Sequence, residues 1–212
     1  MTLQARLRAH LVAEASSDAA HDVAHTDRVW ANAQIISDGS CDRDTLVAAC
    51  YFHDLVTLPK NHPDRATAST LSARAARPVL LGLGLDAAQV DAACHAIEAH
   101  SFSAGIAPQT HLAKVVQDAD RIEALGAIGI ARCFATAGVM GGALFHGDDP
   151  FGAHRPLDDK AYAVDHFQIK LLQLPDTMQT DRGRALAQER AQVMRDFLDQ
   201  IAVELGSDPS RW

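Results

Sequence analysis

The sequence predicts an all-α protein, on three observations. Apolar residues recur at three- and four-residue intervals along most of the 212-residue chain, the period of a helix with one buried face. Alanine and leucine abound while aromatic residues make up only 5%, a balance that favours helix over strand. No segment shows the strict apolar–polar alternation of a half-buried strand.

The elements follow in order. Leu3, Leu7 and Leu11 recur every four residues and predict a short first helix. Ser17 is a good N-cap for a second helix carrying Val23, Val29, Trp30, Ala33 and Ile36, which Asp38-Gly39 ends. A third helix is predicted over about 42–55; Leu46, Val47, Ala49, Cys50, Phe52 and His53 make it nearly continuously apolar, hence central and buried. Pro59, Asn61 and Pro63 force a loop. A fourth helix is expected over 64–76 with Pro78 marking its end, and Asp86 caps a fifth that ends near Glu98. After a loop over 101–109, one helix from about Thr110 is expected to carry KVVQDADRIEALGAIGIARCF, weakened locally by Gly126 and Gly129. Residues 140–159, rich in Gly, Asp and Pro, are the best candidate for a mobile loop or lid. Two amphipathic helices, over 160–174 and 180–205, close the chain. The whole is expected to form a single domain over 1–212, with its core at about 18–135 and a C-terminal helical extension at about 160–205.

Bulk properties narrow the function. Hydrophobic residues are 48% and charged residues 22% of the chain, ordinary for a globular protein. The formal net charge of -8 argues against binding a nucleic-acid duplex, whose affinity rests on Lys and Arg neutralising phosphates. It leaves room for a small anionic substrate, because one cation and a few basic side chains make a local positive pocket. No run of about 18 apolar residues exists, so no membrane partner is expected. The N-terminus lacks the apolar core of a signal peptide. Cys41, Cys50, Cys94 and Cys133 lie far apart with no C-x-x-C pair, which fits free thiols in a reducing cytosol, and a cytoplasmic location is expected. The sequence leaves a homodimer open.

Eleven histidines are the unusual feature, and four segments stand out, three carrying histidines and one carrying two aspartates. These are HDVAHTDRVW with His21 and His25 four apart on one helical face, FHDLV with His53 and Asp54, CHAIEAHSF with His95 and His100, and VVQDADRIEAL with Asp118 and Asp120. In each, ionisable groups sit in a segment patterned for burial, which is costly unless they are paired or hold a metal. Mixed imidazole and carboxylate donors suit a divalent metal such as Mn, Mg, Fe, Co, Ni or Zn.

The order H…HD…D, carried by His25 in H-T-D-R-V, by His53-Asp54 and by Asp120 in A-D-R, resembles the HD superfamily of metal-dependent phosphohydrolases. The likeness extends toward its YedJ-like bacterial members through HDVAHTDRVW, HSFS, QDADRIEALGAIGIAR and His166-Phe167 with Lys170-Leu-Leu172, Met178 and Thr180, covering roughly residues 20–200. The resemblance implies a helical HD domain and metal ligation by His25, His53, Asp54 and Asp120. Asp118 competes for the last position, since two carboxylates two residues apart point about 200° apart on a helix. Asp54 is also expected to act in catalysis. Asp118, His95 or His100 would protonate the leaving group, and His21, Arg28, Lys60 and Arg121 would contact phosphate. The implied activity is hydrolysis of a small phosphate ester or nucleotide by a water activated at the cation. Two alternatives stand beside it: a di-iron oxygenase on the same fold, in which His95 and His100 serve a second metal, and a non-catalytic nucleotide sensor. Leu-Val-Thr-Leu after His53-Asp54 departs from the E-D pair of the alarmone hydrolases. The G-Y-P signature of the cyclic-dinucleotide phosphodiesterases and the extra motif of the dNTP triphosphohydrolases are also missing, so these specialised activities are disfavoured.

Overall fold

A computed structural model describes residues 1–14, 23–58 and 62–208. Every regular element among them is a helix, and the only β pairing is an isolated bridge between Ala143 and Tyr162. The chain divides into two compact units, Met1–Asp120 and Arg121–Trp212. Among the described residues no single helix is long and apolar enough to cross a membrane.

The first unit holds α1 (Leu3–Glu14), α2 (Val23–Ser37), α3 (Arg43–Phe52), α4 (Ala68–Gly82), α5 (Ala87–His100) and α6 (His111–Arg121). Its centre is α3, where every residue from Thr45 to Phe52 is buried; α1, α2, α4 and α5 all pack against it. Asp42 starts α3 by accepting from Thr45 N, a cap that contributes about 1 kcal/mol. The expected third helix stops earlier than Leu55. His53 keeps helical backbone angles (φ -57, ψ -37), but its Nδ1 bonds Cys50 O at 2.8 Å and the chain turns there. Asp38 at φ 48 and Gly39 at φ 76 end α2. The cap assigned to Ser17 lies outside the described residues.

Two helix ends differ from expectation. Helix α4 runs through Pro78 to Gly82, after a short 3-10 turn over Arg65–Thr67. Pro78 is exposed, so the carbonyl it leaves unpaired four residues earlier meets water, while Ala76 and Leu80 stay buried and keep the helix docked. Helix α5 starts with the capping box of Asp86 and Gln89 and continues to His100.

In the second unit, the helix expected to run unbroken from Thr110 has already ended at Arg121. A 3-10 turn over Ile122–Ala124 follows, Leu125 is extended, and Gly126 takes φ 67 before α7 (Gly126–Val139). A Cβ on Gly129 would lie 2.2 Å from Ala124 O, so this close turn needs glycine. Helix α8 (Ala163–Ile169) is short; the chain breaks at Lys170 and continues as a 3-10 turn over Leu171–Thr177. Helix α9 (Asp181–Glu204) is capped by Thr180 Oγ1, which accepts from Gly183 N. Phe134, Phe167 and Phe197 join α7, α8 and α9, with ring centroids 5.8–6.3 Å apart.

The segment over 140–159, expected as a mobile loop or lid, is tied by side-chain bonds. Asp149 accepts from Ala153 N and His154 N. Arg155 pairs with both oxygens of the wholly buried Asp165, at 2.6 and 2.8 Å, and lies over the Tyr162 ring. These bonds fix the loop without regular structure.

Candidate metal centre

Four elements of the first unit bring donor atoms to one place. Helix α2 carries His25, the turn after α3 carries His53 and Asp54, the last residue of α5 is His100, and the last turn of α6 carries Asp120. His25 Nε2 lies 3.3 Å from His53 Nε2 and 3.3 Å from Asp120 Oδ1. His53 Nε2 lies 3.7 Å from both Asp54 Oδ2 and Asp120 Oδ1, and His100 Nε2 lies 3.4 Å from Asp54 Oδ1. Two overlapping donor sets result, His25–His53–Asp54 and His53–His100–Asp120, each with its atoms within 4.8 Å of one another. His53 and His100 are buried, His25 and Asp120 half-buried, and Asp54 is the most open, its side chain 43% exposed.

The helices place these groups for local reasons. Tyr51, fully buried in α3, donates to Asp27 Oδ1 on α2 at 2.5 Å and accepts from Gln4 Nε2 at 3.1 Å. Arg8 Nε donates to the other oxygen of Asp27 at 3.2 Å. One phenol and one carboxylate thereby join α1, α2 and α3 beside His25 and His53. Two buried amides do the same for α6: Asn32 Nδ2 of α2 donates to Ala119 O at 3.2 Å, and Gln117 Nε2 of α6 donates to Ala99 O of α5 at 2.6 Å.

The donor chemistry fits a divalent cation. His53 Nδ1–H is spent on Cys50 O, and His100 Nδ1–H on Ile97 O at 2.7 Å. His53 Nε2 is therefore a lone pair turned toward the carboxylates, whereas His100 Nε2 faces Asp54 Oδ1 as a proton donor. A single proton on His25 Nε2 serves only one of His53 Nε2 and Asp120 Oδ1 at a time, which leaves acceptors facing acceptors. A cation satisfies all of them together. The titration behaviour has the same sense. Burial raises Asp54 and Asp120, but the surrounding imidazoles outweigh it: Asp54 is held well below the usual carboxylate range, and Asp120 at about 2. Burial pushes His53 down. Burial also pushes His100 down, but its bond to Asp54 outweighs this and leaves it raised.

The remaining sequence-predicted site residues stand as follows. Asp118 is fully buried on α6 and is not in either donor set. His95 stands apart too: its Nε2 accepts from Gln109 N at 3.1 Å, pinning the loop into α6. The signal was available, since residues five apart on a helix lie about 140° apart, so His95 and His100 cannot face one point. Arg28 is half-buried one turn beyond His25 on α2. Arg121 belongs to the second unit and donates to Thr177 O at 3.0 Å. His21 and Lys60 lie outside the described residues. Asn32 and Gln117 were given no role from the sequence; their signal is an amide at a position patterned for burial.

Residues 22–125 match the HD domain family, a span that contains all five clustered residues. The uncharacterized protein YpgQ of Bacillus subtilis (strain 168) is 35% identical over 190 residues, 87% of this chain and 84% of that one. The chain belongs to the HD-domain family. Solved structures similar to this HD-domain protein include Bacillus subtilis YpgQ in complex with ADP, with a TM-score of 0.72 and 32% identity over 95% of this chain and 94% of that one. A HD-superfamily hydrolase from Bacillus thuringiensis matches with a TM-score of 0.72 and 28% identity, covering 98% and 100%.

Proposed function

We propose that this protein is a metal-dependent phosphohydrolase acting on a small phosphate ester or nucleotide. The observation that carries the reading is the convergence of His25, His53, Asp54 and Asp120, with lone pairs facing one another, from α2, the turn after α3 and α6. YpgQ, similar over nearly its whole length, has been crystallised with ADP, which supports a nucleotide as the substrate class.

In this reading His25, His53, Asp54 and Asp120 hold the cation, and the backbone bonds at Nδ1 keep His53 in the ligating tautomer. The cation would supply Lewis acidity, lowering the pKa of water and neutralising charge on a phosphoryl oxygen. Arg28 stands one turn from His25 as a contact for the phosphate, a role proposed also for His21, Lys60 and Arg121. Asp54, the most open of the carboxylates, orients the attacking water. His100, beside Asp54 at 3.4 Å, is the proton donor to the leaving group, with Asp118 the second candidate.

A panel of phosphomonoesters, phosphodiesters and nucleoside di- and triphosphates, each tested with Mn²⁺, Mg²⁺, Co²⁺ and Ni²⁺, tests this. The expected result is metal-dependent phosphate or pyrophosphate release by the wild type that is lost in His53→Ala and Asp54→Ala. Equal activity in all three proteins would overturn the proposed site. Nucleotide binding without turnover would favour a sensor, and two irons with O₂-dependent turnover an oxygenase.

A further inference from the structure

We propose that Asn32 and Gln117 are positioning residues that set the affinity and geometry of the metal centre, an inference that rests on the metal-binding reading above. Both amides are almost fully buried, at 2% and 3% exposure. Each donates to a main-chain carbonyl, and each carbonyl belongs to the residue just before a cluster residue. Asn32 Nδ2 holds Ala119 O, next to Asp120; Gln117 Nε2 holds Ala99 O, next to His100. Ala99 and Ala119 lie in the last turns of α5 and α6, where carbonyls have no partner within the helix. The amides supply that partner from a neighbouring helix.

The spacing makes a two-point frame. Asn32 follows His25 by seven residues on α2, two turns along the same face. That face meets the end of α6 twice, through His25 Nε2–Asp120 Oδ1 at 3.3 Å and Asn32 Nδ2–Ala119 O at 3.2 Å. Gln117 precedes Asp120 by three residues and meets the end of α5. The two bonds link α2 to α6 and α6 to α5, which fixes the rotation of three helices that each carry a cluster residue.

Rotation is the degree of freedom that matters. A side-chain atom lies roughly 5–6 Å from its helix axis, so a turn of about 10° moves it by about 1 Å. Ligand distances in a metal site tolerate only about 0.2 Å. Apolar packing constrains separation well and axial rotation poorly, whereas a hydrogen bond at the rim constrains rotation directly. Gln117 also carries a cost: its Oε1 is buried with no hydrogen-bond partner, which opposes the gain from the Ala99 bond. Its net contribution to folding is therefore small, and its effect on the position of the α5 and α6 ends is large.

The frame separates metal affinity from stability, and that separation is the test. Gln117→Met and Asn32→Leu keep volume and remove the donors. Mn²⁺ alone is titrated calorimetrically into wild type, both variants, His53→Ala, and Ile36→Val as a control for general destabilisation of α2. Each protein is also melted without metal, and its Co²⁺ absorption spectrum recorded. Each donor variant should bind Mn²⁺ about 10–100-fold more weakly, the range for outer-shell partners, with an altered Co²⁺ spectrum. Gln117→Met should do so with almost no change in melting temperature. Ile36→Val should melt lower but bind as the wild type. Asn32→Ser, which keeps a donor too short to reach, is the milder substitute if Asn32→Leu does not fold. Donor variants that bind within twofold of wild type, with an unchanged Co²⁺ spectrum, would overturn the positioning role while His53→Ala still lost Mn²⁺. Binding that survives in His53→Ala, or is missing from the wild type, would overturn the metal centre itself and the inference with it.

Discussion

The two units of this protein both bury charge, and they do so in opposite ways. In the second unit, Asp165 is fully buried and fully answered: Arg155 meets both its oxygens and Asp158 N donates to Oδ2 at 2.7 Å, while Arg155 Nε also reaches Asp149 O. In the first unit, His25, His53, Asp54 and Asp120 gather with more acceptors than protons, and His100 stands beside Asp54. A buried charge with an internal partner is a structural tie, and truncating one side leaves the other stranded. A buried set of lone pairs without enough protons calls for a cation from solution. In the proposed reading, that difference is what separates the metal cluster from a purely structural one.

The comparison is most easily broken at the ligands. His53→Ala should lower metal-dependent hydrolysis by more than the roughly 100-fold that losing an outer-shell partner costs, measured as initial rate at saturating Mn²⁺. Asp165→Ala should leave Mn²⁺ affinity unchanged but cost about 3–5 kcal/mol through the stranded Arg155, a fall in melting temperature of roughly 10 °C. Added metal should act on the other unit's cluster only: at about 100 times the dissociation constant it should stabilise the wild type by about 2.7 kcal/mol, and His53→Ala not at all.

The smallest effect is with pH. In the metal-free protein Asp120 is held at about 2, below its unfolded value near 3.9. Its contribution to stability is fully present above that unfolded value and is lost as pH falls through the folded one. Metal affinity should also fall in acid, because imidazoles must be neutral to ligate; burial pushes His53 down, so its loss as a ligand comes below the ordinary imidazole range. Calorimetric titration from pH 7.5 down to pH 4 checks this; an affinity that falls nowhere in that range would contradict imidazole ligation.

Much of the first unit was legible in the sequence because its signals are local. Asp86 reads as a cap and acts as one, the third helix begins where it was expected to, at a cap on Asp42, and the apolar run before His53 reads as the central helix and is central. Pro78 and the break at Gly126 were misjudged because burial on either side decided them: Leu80 holds α4 together beyond the proline, and Gly129 against Ala124 O forces the turn after α6. The loop over 140–159 read as mobile because its ties come from Asp165 and Tyr162, later in the chain. The cluster itself could not be derived from spacing, since its members come from four elements. The ordered motif supplied that, and helical geometry could have separated His100 from His95. Asn32 and Gln117 escaped notice because a buried amide is visible only once its carbonyl partner is known.

The central claim is that His25, His53, Asp54 and Asp120 share a cation, and anomalous diffraction from crystals grown with Mn²⁺ tests it most directly. The account predicts a peak within about 2.0–2.3 Å of His25 Nε2, His53 Nε2 and oxygens of Asp54 and Asp120. A peak elsewhere, or none among these atoms at millimolar metal, would contradict it.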